Sequence, residues 1–302
     1  MHAWEAIQNA ITLIEENLAK EIQIDALARG AALSPYYFQR LFARLVKKPV
    51  SEYIKLRRLA KASEALRETD NRILDVALTY GFSGHANFTR AFKAAYGVTP
   101  GEYRKHPVIL NQFIKPDLLL QYVMVEEDVT LLADGMVVEV TRRRLDQPRS
   151  LIGISGELPI SELTGGRATG VATAGLLWDA FHRQKPGIPQ LLPGGNEYGI
   201  LYLGDAQEGF CMYLAGAEAA STEAAGEYAA YTLPCGDYVV CCFEAQNFAE
   251  LIGSAVFKAS SFMNTWMNMH GLICGDFAAE IYYGTTPDAC YMEQWLPIRI
   301  NK

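Results

Sequence analysis

FSGHANFTRAFKAAYGVTPGEYRK, residues 82–105, places two phenylalanines four apart around an arginine, followed by a lysine, a glycine and Thr-Pro. Fifty residues upstream, ALSPYYFQRLFARLVKKPVSEYIK (32–55) lines up with it without a gap. Phe38 meets Phe88, Arg40 meets Arg90, Phe42 meets Phe92, Glu52-Tyr53 meets Glu102-Tyr103 and Lys55 meets Lys105. At the same shift Asp25 meets Asp75. Two copies are too few for a solenoid, so the repeat marks a duplicated supersecondary motif.

Each copy reads as helix, turn, helix. In the first, IDALARGAAL has apolar residues at helical spacing, Ser34 offers an N-cap oxygen, and Pro35 suits the first helical position. YYFQRLFARLV then carries Phe38, Leu41, Phe42 and Leu45 on one apolar stripe. In the second, ILDVALTY precedes a turn at Gly81, and HANFTRAFKAAY is stopped by Gly97 before Thr99-Pro100 opens another short helix. The stripes are core. The opposite faces offer Tyr36, Gln39, Arg40 and Arg44 in one copy and His85, Asn87, Arg90 and Lys93 in the other. Arg reads guanine bidentately and Asn or Gln reads adenine, so these side chains suit base edges in a major groove.

Between the copies, PVSEYIKLRRLAKASEALRET is a long amphipathic segment bearing Lys55, Arg57, Arg58 and Lys61. It is expected to space the two reading helices for successive major grooves, about 34 Å apart, with some of its basic residues on phosphate.

Charge divides the chain. Residues 1–106 hold 16 Lys+Arg against 11 Asp+Glu, while 107–302 hold 11 against 23. A basic front and an acidic back suggest different partners. No run approaches eighteen uncharged apolar residues and the N-terminus lacks the regions of a signal peptide, so a cytoplasmic protein is expected. All six cysteines fall in the acidic part without a C-x-x-C pair, and Cys241 and Cys242 should point to opposite faces of a strand.

GFSGHANFTRAFKAAYGVTPGEYR (81–104) resembles the signature of AraC/XylS-type transcriptional regulators, and ALSPYYFQRLF is similar to the first helix-turn-helix of that domain. The resemblance, over residues 5–106, implies a bipartite seven-helix domain binding double-stranded DNA, with RNA polymerase as a further partner. Most of that family places the domain last; here it comes first.

The expected divisions are 1–106 for DNA binding, 107–135 as linker and leading segment, and 136–302 as an antiparallel α+β domain. Strand texture runs through MVVEVTRRR, SLIGISG, EYGILYLG, FCMYLAG, YVVCCFEA, AAEIYYG and YMEQWLPI. AGLLWDAFHRQ and AVFKASSFMNTWMNMHG read as helices. A shift of 80 matches Tyr202 with Tyr282, Gly204 with Gly284, and Met212 with Met292, which suggests two strand-helix-strand-strand units about a pseudo-twofold axis. Their interface would form a groove whose aromatic candidates are Trp178, Phe181, Tyr198, Phe243, Trp266, Tyr282 and Trp295. Glu280 stands in an otherwise apolar strand, and on spacing alone it lines the groove, faces water or pairs with Arg299.

PCGDY (234–238), NTWMN (264–268), FAAEIYYG (277–284) and QWLPI (294–298) resemble a GyrI-like effector-binding domain. The resemblance implies that Glu280 and Tyr282 line a central cavity that takes a small cationic, aromatic effector. Catalytic signatures are absent: no GK[ST] follows a glycine loop, GGRATG (165–170) reads as a flexible turn, and the five histidines show no metal-binding spacing. No enzyme activity, cofactor or metal is expected. The alternatives for the back domain are a protein-interaction or sequestering module and a hydrolase of small electrophiles.

Overall fold

A computed structural model describes residues 2–123, 125–163, 169–223, 225–283 and 290–299. The chain divides into two compact units, Met1–Tyr122 with Gly166–Val171, and Val123–Gly165 with Ala172–Lys302.

The first unit opens with seven helices: α1 (Ala3–Glu16), α2 (Ile24–Gly30), α3 (Pro35–Val46), α4 (Val50–Glu68), α5 (Ile73–Thr79), α6 (His85–Tyr96) and α7 (Pro100–Lys105). Ser34 Oγ accepts the Tyr37 amide at 3.3 Å to cap α3, and Thr99 with Glu102 forms a capping box on α7. Two aromatic-rich cores result. Phe38, Phe42, Tyr53 and Ile54 pack with α1, and Leu59, Leu66, Phe88, Phe92 and Tyr103 form the second core. The helix α4 serves both, because its N-terminal half faces one core and its C-terminal half the other.

The duplication carries one adjustment. Leu33 N–H bonds the Ala28 carbonyl as Phe82 N–H bonds that of Ala77, so the first helices of the motifs match at a shift of 49. The second helices, starting at Pro35 and His85, match at 50. The gapless alignment therefore fails at the turn, where the second copy has one residue more. The left-handed position closing α2 is Ala32 (φ 55°), and that closing α5 is Gly81 (φ 73°). Gly81 is doubly constrained, since a Cβ there would lie 2.7 Å from Arg58 Nη1.

Residues 107–122 do not stand apart as a linker. Phe113 and Leu118 are buried in the first core, and Leu110 packs against the second. This stretch contains β1 (Leu110–Asn111) and α8 (Leu119–Tyr122).

The strands of the second unit are β2 (Leu131–Ala133), β3 (Met136–Leu145), β4 (Arg149–Pro159), β6 (Glu197–Tyr202), β7 (Phe210–Ala219), β8 (Ala229–Leu233), β9 (Gly236–Glu244), β10 (Ile273–Cys274), β11 (Phe277–Tyr282) and β12 (Tyr291–Arg299). They form one antiparallel sheet in the order β2-β3-β9-β12-β11-β6-β7-β4-β8, with β10 on β12. The fifth strand in sequence, β5 (Gly170–Val171), pairs with β1 in the first unit. The helix α9 (Thr173–Gln184) precedes β6, while α10 (Phe248–Glu250) leads through a π-turn into α11 (Val256–Met269).

Two strand-helix-strand-strand units are visible, β4-α9-β6-β7 and β9-α11-β11-β12, meeting where β6 pairs with β11. The shift of 80 does not relate them residue by residue. Tyr202 pairs with Phe277 and Tyr282 with Glu197, which lie an odd number of pairs apart and so face opposite sides of the sheet. Met212 and Met292 are split in the same way. Gly284 lies outside the described residues, as do residues 165–168 of GGRATG.

Candidate DNA-reading helices and effector crevice

The eight expected DNA-reading side chains lie on α3 and α6, and all are exposed. Tyr36 is 70% exposed and the Arg40 guanidinium sits 5.8 Å from its ring centroid. Burying Phe38, Phe42, Phe88 and Phe92 on the opposite stripes fixes these faces outward. The basic residues of α4 divide differently from the phosphate expectation. Arg57 points inward, bonding Glu15 through Nε and Nη2 (2.8 Å each) and the Phe113 carbonyl through Nη1 (2.7 Å). Arg58 is bonded to the Leu18 and Lys20 carbonyls, and Lys61 pairs with Glu64. Lys55 remains exposed. Burial opposes the charge of Glu15, but Arg57 and Tyr53 outweigh it and hold the carboxyl below its ordinary range.

In the second unit the sheet separates the expected ligand residues. Register puts Glu280, Tyr282 and Gln294 on the face covered by α9 and α11, and Ile281, Tyr198 and Trp295 on the other. Glu280 is half-buried. Its Oε2 accepts from Tyr213 Oη at 2.9 Å and Tyr282 Oη at 3.1 Å. Trp178, from α9, donates to Tyr213 Oη at 2.9 Å and packs edge-on to Tyr282 with centroids 5.0 Å apart. From α11, Ser260 Oγ accepts Gln294 Nε2 at 2.6 Å. Gly199 makes the close approach feasible: a Cβ there would lie 2.1 Å from Tyr213 Oη and 2.7 Å from Glu280 Oε2.

Burial pushes the Glu280 carboxyl up against the pull of Tyr213, Tyr282 and Gln294. Among the described residues no cation accompanies it. Arg299, the alternative partner, pairs with Asp276. This cluster thus offers a carboxylate with aromatic neighbours, where a desolvated organic cation would regain both charge and π contacts.

The remaining aromatic candidates serve elsewhere. Tyr198 donates to Glu218 at 2.6 Å and accepts from Arg149, whose guanidinium lies 5.6 Å from the Trp295 ring. Phe243 shares the Glu280 face but sits two strands away, opposite Met292. Trp266 donates to the Val125 carbonyl at 2.7 Å and stacks on His270. Phe181 is buried beside Trp178.

Sequence reading missed Tyr213 and Gln294, each the more telling for its position. Tyr213 alternates with Cys211 and Ala215 in FCMYLAG, and Gln294 follows Glu293 in an otherwise largely apolar strand. It also missed Glu293, on the far face, which accepts from Tyr283 and Trp295 (2.7 Å each), Tyr291 and Arg143 (2.7 Å). Burial opposes the charge of Glu293, yet these donors and the Arg143 guanidinium hold its carboxyl below the ordinary range. Two glutamates on neighbouring strands therefore differ in kind: Arg143 pairs with Glu293, and no described cation accompanies Glu280. Among the described residues no group of three or more His, Cys, Asp and Glu could hold a metal, and no helix is long and apolar enough to cross a membrane.

A family model described as a helix-turn-helix domain matches residues 27–106. The TetD protein of transposon Tn10 from Escherichia coli is 40% identical over 100 residues, 33% of this chain and 72% of that protein. The right origin-binding protein of Escherichia coli K12 is 30% identical over 192 residues, 63% of this chain and 61% of that protein. An HTH-type regulator of Bacillus subtilis, YbfP, is 41% identical over 104 residues, 34% of this chain and 35% of its own length. The chain thus spans about a third to three fifths of the last two relatives. A solved protein bound to tetraphenylphosphonium aligns with 53% of this chain and 94% of its own, at 14% identity and a TM-score of 0.41, a likeness too slight to carry weight. With the duplicated motif, its outward polar faces and these matches in agreement, the chain belongs to the AraC/XylS family of helix-turn-helix transcriptional regulators.

Proposed function

We propose that the chain is a sequence-specific DNA-binding regulator whose first unit reads two adjacent major grooves and whose second senses a small cationic, aromatic molecule. The observation carrying the first part is the pair of exposed polar faces, Gln39-Arg40-Arg44 and Asn87-Arg90-Lys93, on second helices of duplicated motifs. The intervening α4 is 19 residues long. At 1.5 Å per residue it measures about 28 Å, a length compatible with reading helices in successive grooves. The sensing part rests on Glu280, a partly desolvated carboxylate held by two phenols and unaccompanied by a described cation.

Selection from random duplex DNA at two salt concentrations tests the first part. Two short enriched blocks about one helical turn apart are expected. Salt-sensitive binding without enrichment would reduce the first unit to a phosphate anchor. For the second part, calorimetry with benzyltrimethylammonium should give binding that Glu280→Gln weakens. Equal affinity of the two proteins would remove Glu280 from the site.

A further inference from the structure

Gly170 and Val171 stand in sequence between two segments of the second unit, yet they belong to the first. They pair antiparallel with Leu110 and Asn111 and pack against α6. Leu110 itself rests on the core that contains Phe88 and Phe92, the buried side of α6. The next residue, Ala172, belongs to the second unit, and α9 begins at Thr173. Glu162 fixes that helix start, accepting the Thr173 amide at 3.1 Å and its hydroxyl at 2.6 Å. Trp178, which donates to Tyr213 and packs edge-on to Tyr282, follows on the same helix. Trp178 lies five positions beyond Thr173 on the helix, an axial distance of about 8 Å.

We propose that β5 is a strap through which occupancy of the Glu280 crevice changes the state of α6. The proposal rests on the sensing role given to that crevice. A cation seated against Glu280 must share the space now held by Trp178, Tyr213 and Tyr282. Displacing the indole tilts α9, a rigid element, and the displacement reaches Val171 through one residue. A ladder of two residue pairs is marginal by itself, so it opens and closes at small cost and suits a two-state contact. The strap transmits only if the ligand binds one arrangement better than the other, and the effect on α6 then equals that difference.

Hydrogen exchange and DNA affinity of the full chain test this, with and without saturating benzyltrimethylammonium. In the wild type the cation should alter exchange at Leu110–Asn111 and along α6, and shift DNA affinity by about fivefold or more. Val171→Pro, which removes an amide hydrogen beside the ladder, should bind the cation as before while losing both responses. Full responses in Val171→Pro would overturn the strap. Trp178→Ala and the milder Trp178→Phe separate this idea from the sensing role, because they disturb the crevice without any ligand. Faster exchange at Leu110–Asn111 in Trp178→Ala, graded in Trp178→Phe, supports the strap even where the cation fails to bind. Unchanged exchange there in both folded variants overturns it whatever the cation does.

Discussion

Arg40 and Arg90 occupy matching positions on α3 and α6, both exposed, each with a phenylalanine two residues away on the buried side. If they read guanine, Arg40→Ala and Arg90→Ala should each weaken binding to the selected site by roughly 1–3 kcal/mol and relax its sequence at one position. Quantitative gel shifts on selected and random duplexes check this, since equal losses on both would mean phosphate contact alone. At Glu280 the sign of the pH effect follows from burial. Its carboxyl titrates above the ordinary carboxylate range, so cation affinity should be full at alkaline pH and fall as pH drops through that raised value. For folding the sign is reversed. The native state holds this proton more tightly than the unfolded chain, so ionising Glu280 costs stability as pH rises. Calorimetric titrations of wild type and Glu280→Gln between about pH 4 and pH 8, from the ordinary carboxylate range upward, should show the pH dependence only in the wild type.

Among the elements, α4 is the most instructive. Its amphipathic sequence reads as a spacer with basic residues on phosphate, but Arg57 joins it to Glu15 of α1 and to the carbonyl of Phe113. Arg57→Ala leaves a largely buried carboxylate without its hydrogen-bonded cation and should cost about 3–5 kcal/mol in urea unfolding. The depressed Glu15 carboxyl adds stability that is fully present above its unfolded value and is lost as pH falls through the folded one. Acid unfolding should accordingly be blunted in Arg57→Ala relative to wild type. The repeat itself points to a second variant. The left-handed residue closing α6 is Gly97, and its counterpart closing α3 is Lys47 (φ 61°). A side chain in that conformation costs roughly 1–2 kcal/mol, so Lys47→Gly should raise the thermal midpoint rather than lower it.

The helices of the first unit were legible because local chemistry writes them: Ser34, Pro35, Gly97 and the Thr99–Glu102 box each mark a boundary. The longer strands were legible from their alternation, whereas β2 and β10 are too short to show a period. The crevice was half legible. Alternation assigns Glu280 and Tyr282 to one side of their own strand, but only register between strands decides that Tyr198 and Trp295 turn away. Residues 107–122 misled through their Pro and polar content, because burial of Phe113 and Leu118 depends on surfaces supplied by other helices.

At the scale of the whole molecule, the sheet order has a consequence for synthesis. The last strand in sequence, β12, is not an edge: it lies between β9 and β11. The helices α1–α7 can settle as soon as they leave the ribosome, since a domain made first folds first. The sheet cannot close until residues 291–299 have emerged, so the surroundings of Glu280 form only after them. A chain arrested at residue 283 should therefore already resist protease over its first 122 residues while its later segments are digested. Resistance throughout would show that the sheet tolerates the missing strand. In a chain still being made, the helices are therefore complete while Glu280 still lacks the neighbours that strand supplies.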